Sequence, residues 1–241
     1  MTPSEIPLQE TLRFLERTLP SAPQRILEVG AGNGVLAVVL AEFGHEVTAL
    51  DVSLERPGGS AAERVRWTEA DFLYHEDPAR YDVVLFTRSL HHLTPLDLAL
   101  DRARDALDPG GLLIAEEFAF DRVNLPTARW FYDLESILAA AGLLEESSRE
   151  EDGNPLGRWR AEHAYEPPLH SGHAMLGAVR ERFELSVVEE APYLYRSFCA
   201  SLESSDRGVR VAKRILDLER RMLRERDLAA AGLRMVGKKL D

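Results

Sequence analysis

The chain has 241 residues, 45% of them hydrophobic, with a formal net charge of −12 and a pI of about 5.1. That length suits one α/β domain, or one domain with a sizeable insertion, the acidity repels a nucleic-acid backbone at long range, and no apolar run approaches the roughly 20 residues that span a bilayer. Cys199 is the only cysteine, which excludes a disulfide framework and a cysteine-based zinc site, and MTPSEIPLQETLRF lacks the pattern of a signal peptide, so a cytoplasmic protein is expected.

The first helix is predicted over Pro7–Leu19. Strand and helix signals then alternate, the mark of a parallel sheet with helices on both faces. Strands are predicted at Arg25–Val29, Glu46–Leu50, Val65–Glu69, Asp82–Phe86 and Leu112–Glu116, with helices near Gly34–Phe43 and Pro95–Leu107. DPGG, residues 108–111, reads as a sharp turn into the fifth strand. Residues 121–172 break the alternation. They hold Trp130, Phe131, Tyr132, Trp159 and Tyr165, a predicted helix at Thr127–Ala141, and a polar stretch from Glu150 to Pro168 with a hinge at Gly153–Gly157. A lid inserted after the fifth strand is the simplest reading. Two further strands are predicted at Phe183–Glu189 and Leu233–Lys239. Between them residues 191–230 form a helical excursion. Its segment 207–226 carries eight Lys/Arg against three Asp/Glu, with Val211, Ile215, Leu218 and Met222 on one helical face. A solvated charged face packed on an acidic domain is favoured there over a polyanion site.

Within ILEVGAGNGVLA, residues 26–37, the glycines Gly30, Gly32 and Gly34 lie between a strand and a helix. Such a turn permits positive φ and brings the backbone close to a ligand, in front of free helix N–H groups. A dinucleotide site would place its third glycine at position 35, where Val35 stands. Glu28 ends the strand; beside a pyrophosphate it is repelled, and beside a cationic cofactor it is welcome. Asp51 ends the second strand, where a carboxylate accepts from both ribose hydroxyls. Asp71 follows the third strand, either to accept from an adenine amine, with Phe72 and Val52 against the base, or to cap a turn.

These parts, EVGAGNG, LDVS, EADF, YDVVLFTRSLHHL and LDPGGLLIAEEF, stand in order over residues 25–118. The chain resembles the class I S-adenosylmethionine-dependent methyltransferases. The resemblance implies a Rossmann-like α/β fold: a seven-stranded, mostly parallel sheet of order 3-2-1-4-5-7-6, its seventh strand antiparallel, with helices on both faces. It implies one domain over residues 1–241, the lid and the helical excursion being departures from the simplest family pattern. It puts Glu28, Gly30, Ala31, Gly32 and Gly34 by the methionine moiety of S-adenosylmethionine, Asp51 by the ribose, and Asp71, Phe72 and Val52 by the adenine. Thr87 is counted with the cofactor contacts.

Methyl transfer from a sulfonium needs alignment and exclusion of water, and a base only where the acceptor is protonated. His91 and His92, after the fourth strand, are the candidate bases; helix capping or packing at the cofactor's edge is the other reading. Arg88 pairs either with a substrate acid or with Glu116 or Glu117. Glu117, Asp121, Arg88 and Trp130 are the candidate substrate residues at the pocket mouth. No metal is expected: the fourth strand ends Phe86-Thr87-Arg88 without a carboxylate, and His163, His170 and His173 match no zinc spacing. The expected partner is a small-molecule acceptor, with neither nucleic acid nor membrane; composition leaves the oligomeric state open. An NAD(P)-dependent oxidoreductase is the alternative, opposed by Val35 and by the lack of Y-x-x-x-K; a catalytically silent cofactor-binding domain is the third reading.

Overall fold

The computed structural model describes residues 1–145 and 154–240; Gly153 of the expected hinge, and the start of the polar stretch before Asn154, lie outside the described residues. In chain order the elements are α1 (Glu5–Thr18), β1 (Arg25–Val29), α2 (Val35–Glu42), β2 (Glu46–Asp51), β3 (Arg66–Glu69), β4 (Tyr81–Thr87), α3 (Leu96–Ala106), β5 (Leu107–Phe118), α4 (Leu125–Ala140), α5 (Pro155–Glu162), α6 (Gly172–Arg180), β6 (Phe183–Ala191), α7 (Tyr195–Ser201), α8 (Asp206–Glu225) and β7 (Gly232–Lys239). The strands form one seven-stranded sheet of order β3-β2-β1-β4-β5-β7-β6, as expected. β1 pairs in parallel with β2 and β4, β2 with β3, and β4 with β5.

The five strand predictions before residue 120 hold to within a few residues, because buried parallel strands are short apolar runs bounded by turn residues. One boundary differs more. β5 starts at Leu107 and takes in the DPGG segment, with Gly110 at φ +77° and a register shift opposite Tyr81 and Val83. α5 and α6 were not anticipated: α5 lies in the stretch read as polar, and no element was predicted over α6, whereas α7 falls within the expected helical excursion.

The chain divides into two compact units. The sheet unit comprises Thr18–Phe118, His170–Glu189 and Leu233–Asp241. Its core is the apolar filling of β1, β4 and β5, with Ile26, Val83, Val84, Phe86, Leu113 and Ile114 all buried. Its far strands are tied by Arg234, which donates to Glu116 at 2.6 and 2.8 Å and to Glu189 at 3.1 Å. The helical unit comprises Met1–Arg17, Ala119–Leu169 and Glu190–Gly232. Most of the segments expected as lid and as helical excursion fall in it, joined by α1. Asn124, Asn154 and Ser205 cap α4, α5 and α8. Within this unit Phe131 packs edge-on to Tyr132 and Trp159 and against Phe198.

α8 buries Ala212, Ile215, Leu216 and Glu219. The expected inner face is thus rotated: Ile215 is buried, but Val211, Leu218 and Met222 are only half-buried. The cause is Glu219. Its carboxylate accepts from the N–H groups of Tyr193 (2.7 Å), Leu194 (3.0 Å) and Tyr195 (2.8 Å), closing the start of α7. A turn's worth of orphan donors is worth more than the alternative apolar contact. Burial raises the Glu219 pKa, and the three N–H bonds oppose that shift.

Candidate cofactor and methyl-transfer site

The turn after β1 is shaped by its glycines. Gly30, at φ +75°, donates to Leu50 O at 2.8 Å, and a Cβ there would stand 2.3 Å from Ser89 Cβ. Gly34, at φ +64°, starts α2, and a Cβ there would meet the Trp67 ring at 2.4 Å. Gly32, at φ +53°, is different: nothing lies within 4 Å of where its Cβ would be. Two glycines therefore admit neighbouring protein, and the one between them faces open space. Ala31 is buried, with its N–H on Leu50 O at 3.2 Å.

Three carboxylates follow from the ends of β1, β2 and β3. Glu28 is only 1% exposed. Its Oε1 meets Thr87 Oγ1 at 3.5 Å, and its Oε2 has no hydrogen-bond partner among the described residues. Burial pushes its pKa up to about 8, while the positive charge of Arg88 opposes the rise. A buried carboxyl with an orphan oxygen is costly unless a donor or a cation meets it. Asp51 is held by two backbone donors, Gly32 N–H on Oδ2 at 2.8 Å and Ser53 N–H on Oδ1 at 3.0 Å. Each oxygen keeps a further lone pair for a ligand. Asp71 is exposed and accepts from Leu73 N–H on Oδ1 at 2.9 Å, so it does form the turn that was one of its two readings.

Phe72 departs from expectation. It is buried edge-on against Phe86 at 5.9 Å and 77°, because an aromatic next to β4 gains more from the core than from an open crevice. Val52, by contrast, is 68% exposed.

The loop after β4 makes a second cluster. Arg88 adopts φ 62° and is exposed. It pairs with neither expected glutamate, since Glu116 is taken by Arg234 and Glu117 by His91. Glu117 does not stand at a pocket mouth: it is 0% exposed. Its Oε1 accepts from Ser89 N–H (3.2 Å) and Leu90 N–H (2.9 Å), and its Oε2 lies 2.6 Å from His91 Nδ1. A carboxylate already accepting two N–H bonds acts as acceptor again, so Nδ1 of His91 carries the proton and Nε2 presents a lone pair. His91 is 4% exposed, and its ring centroid lies 4.2 Å from that of His92 with the planes tilted by 40°. His92 is exposed; partial burial and the neighbouring His91 lower its pKa. His170 braces the loop from behind, with its N–H on His91 O at 2.9 Å and its Nε2 on Leu93 O at 2.9 Å.

The sequence reading missed the His91–Glu117 pairing. The signal was present as a histidine just after β4 and a glutamate near the end of the adjacent parallel β5, but the register of β4 against β5 was needed to read it. Asp121 and Trp130 belong to the helical unit. Asp121 is exposed in a short turn, and Trp130 is half-buried while its neighbours Phe131 and Tyr132 are buried. His163 stacks on Trp159 at 4.0 Å in the same unit.

A model of the methyltransferase domain family matches residues 5–173. An uncharacterized methyltransferase of Mycobacterium tuberculosis is 36% identical over 110 residues, covering 44% of this chain and 56% of the relative. A ubiquinone biosynthesis O-methyltransferase of Xylella fastidiosa is 30% identical over 112 residues, covering 42% of this chain and 45% of that protein. The chain thus spans about half the length of these curated relatives. Among solved structures, the N-methyltransferase NodS of Bradyrhizobium japonicum, in complex with S-adenosylhomocysteine, aligns with TM-score 0.53 at 14% identity, over all of this chain and 89% of that one. The 1,6-didemethyltoxoflavin N1-methyltransferase of Burkholderia thailandensis aligns with TM-score 0.51 at 18% identity, over 95% and 76%. At these identities the likeness speaks to the fold. With sheet order, glycine turn and family model in agreement, the chain belongs to the methyltransferase domain family.

Proposed function

We propose that this protein transfers a methyl group from S-adenosylmethionine to a small-molecule acceptor, with His91 as the base. The observation that carries this reading is Glu28, a buried carboxyl with an orphan oxygen in the strand that leads into the glycine turn. A cationic cofactor satisfies it; a pyrophosphate would not. Glu28 and the glycine turn would hold the methionine end, Asp51 the ribose hydroxyls, and the second oxygen of Asp71 the adenine amine, with Val52 along the base. When bound, the cofactor supplies a methyl group activated by its sulfonium. The chain's own residues align the acceptor and manage its proton. His91 takes the proton of an acceptor hydroxyl or similar group through Nε2, and Glu117 holds the ring in that tautomer. Glu117 is therefore a positioning residue and not a substrate contact.

The helical unit is the proposed source of acceptor choice. The chain enters it directly after β5, and it carries Asp121, Trp130 and most of the aromatic side chains of residues 121–172. A net charge of −12 supports a small acceptor over nucleic acid. Among the described residues no helix is long and apolar enough to cross a membrane, and the one cysteine is a buried thiol, which fits a cytoplasmic setting.

Calorimetry with S-adenosylhomocysteine and with NAD tests the cofactor, and a tritiated-methyl screen of metabolite extracts then tests transfer. Binding of S-adenosylhomocysteine, and label incorporation that is abolished in His91→Ala and reduced in Glu117→Gln, is expected. Micromolar NAD binding without S-adenosylhomocysteine binding overturns the reading.

A further inference from the structure

α8 carries charge against the sign of the whole molecule. The chain is −12 overall and residues 207–226 contribute +5, so the remainder stands at −17. The sequence alone favoured a solvated charged face packed on an acidic domain, and the structure shows how that charge is exposed. Arg207, Arg210, Lys213, Arg214, Arg221 and Arg224 are all exposed, and none forms an ion pair with an acid among the described residues. Only Arg220 is recruited inward, onto buried Glu10.

At 100° per residue these six cations fall within an arc of about 120°, along a stripe of about 25 Å. Asp217 is the one acid between its ends in that arc, and it lies 3.9 Å from Arg220; Asp206 and Glu225 stand at the extremities. The opposite face is anchored by Ala212, Ile215, Leu216 and the triple N–H acceptor Glu219, so the stripe is presented on a fixed helix.

We propose that this stripe is a docking surface for an acidic segment of a partner protein. Guanidinium forks suit carboxylates in pairs. The stripe holds no aromatic side chain to stack on bases and no exposed apolar side chain to enter a bilayer. Its length is finite, and the remainder of the molecule is strongly acidic. A long polyanion or a charged plane is repelled at long range by the net charge of −12, whereas a segment of some 25 Å is matched by the six cations, with Asp217 the one acid between the ends of their arc.

The test is fluorescence anisotropy with a fluorescein-labelled polyglutamate of about eight residues, the extended length of the stripe, at 50 and 150 mM NaCl. The full chain is compared with Arg207→Gln/Arg214→Gln/Arg221→Gln and with Arg64→Gln/Arg80→Gln, exposed arginines outside α8. Glutamine keeps helix propensity close to that of arginine, and circular dichroism checks that the helix is retained. Expected are binding that weakens with salt, a loss of at least tenfold in the α8 variant, and no change in the other. Absence of binding at 50 mM NaCl, or equal losses in both variants, overturns the proposal. So does tighter binding of a 20-bp DNA duplex or of phosphatidylglycerol vesicles, or a dimer in sedimentation velocity that the α8 variant abolishes.

Discussion

Glu28 shows how one residue can be legible in sequence for its place and not for its state. Its position, two residues before the first glycine, marked it as a cofactor contact; its orphan oxygen required the fold. Because burial raises its folded pKa to about 8, the folded chain keeps a proton that the unfolded chain gives up above the usual carboxylate range. The stability this contributes is complete below the unfolded value and is lost as pH rises through the folded one. Urea unfolding of the ligand-free protein between pH 5 and 9 is thus expected to weaken with pH, and Glu28→Gln to flatten that decline. The same proton must leave when a cation binds, so calorimetric titration below pH 8 in buffers of different ionisation enthalpy will register proton release in the wild type and none in the variant. Asp51→Ala is expected to weaken S-adenosylhomocysteine binding by about 1.5–3 kcal/mol, the worth of hydrogen bonds to a charged group. An unchanged dissociation constant would place the ribose elsewhere. Phe72 was misread for a simple reason: an aromatic beside a motif looks the same whether it faces ligand or core, and only β4 with Phe86 decides between them.

Between elements, the informative contacts are those that cross strands. The β1 turn and the β4 loop approach until only Gly30 fits against Ser89, whose Oγ donates to Val29 O at 2.5 Å. Gly30→Ala is expected to cost about 1–3 kcal/mol by overpacking, beyond the strain of a positive φ. Chemical denaturation measures it; a neutral substitution would mean the two loops separate freely. The pattern of periods and turn residues sufficed for β1 to β4, since each is a local apolar run. It failed for α5 and α6, which are shorter than the window in which a helical period declares itself. It also failed for the inner face of α8, where a buried carboxylate overrides the apolar stripe that sequence periodicity selects.

For the molecule as a whole, the division of labour can be tested without knowing how the two units move. If the helical unit selects the acceptor and the sheet unit holds the cofactor, Trp130→Ala should retain S-adenosylhomocysteine affinity and lose turnover with whatever acceptor the label screen identifies. A matching loss of both would assign Trp130 to the cofactor. The two-unit organisation itself was not visible in sequence, because it rests on packing between segments more than a hundred residues apart, such as Thr127 Oγ1 accepting from Ala229 N–H. The chain passes from one unit to the other five times. Each unit is stitched from three pieces, yet Glu28, Asp51, His91 and Glu117 all lie in the single stretch Thr18–Phe118 of the sheet unit. During synthesis that donor-binding stretch is spelled out before two of the three pieces of the unit proposed to choose the acceptor. Insertions near residues 119–169 or 190–232 therefore leave that stretch's text untouched, and acceptor preference in such a chain can drift while its methyl donor stays the same.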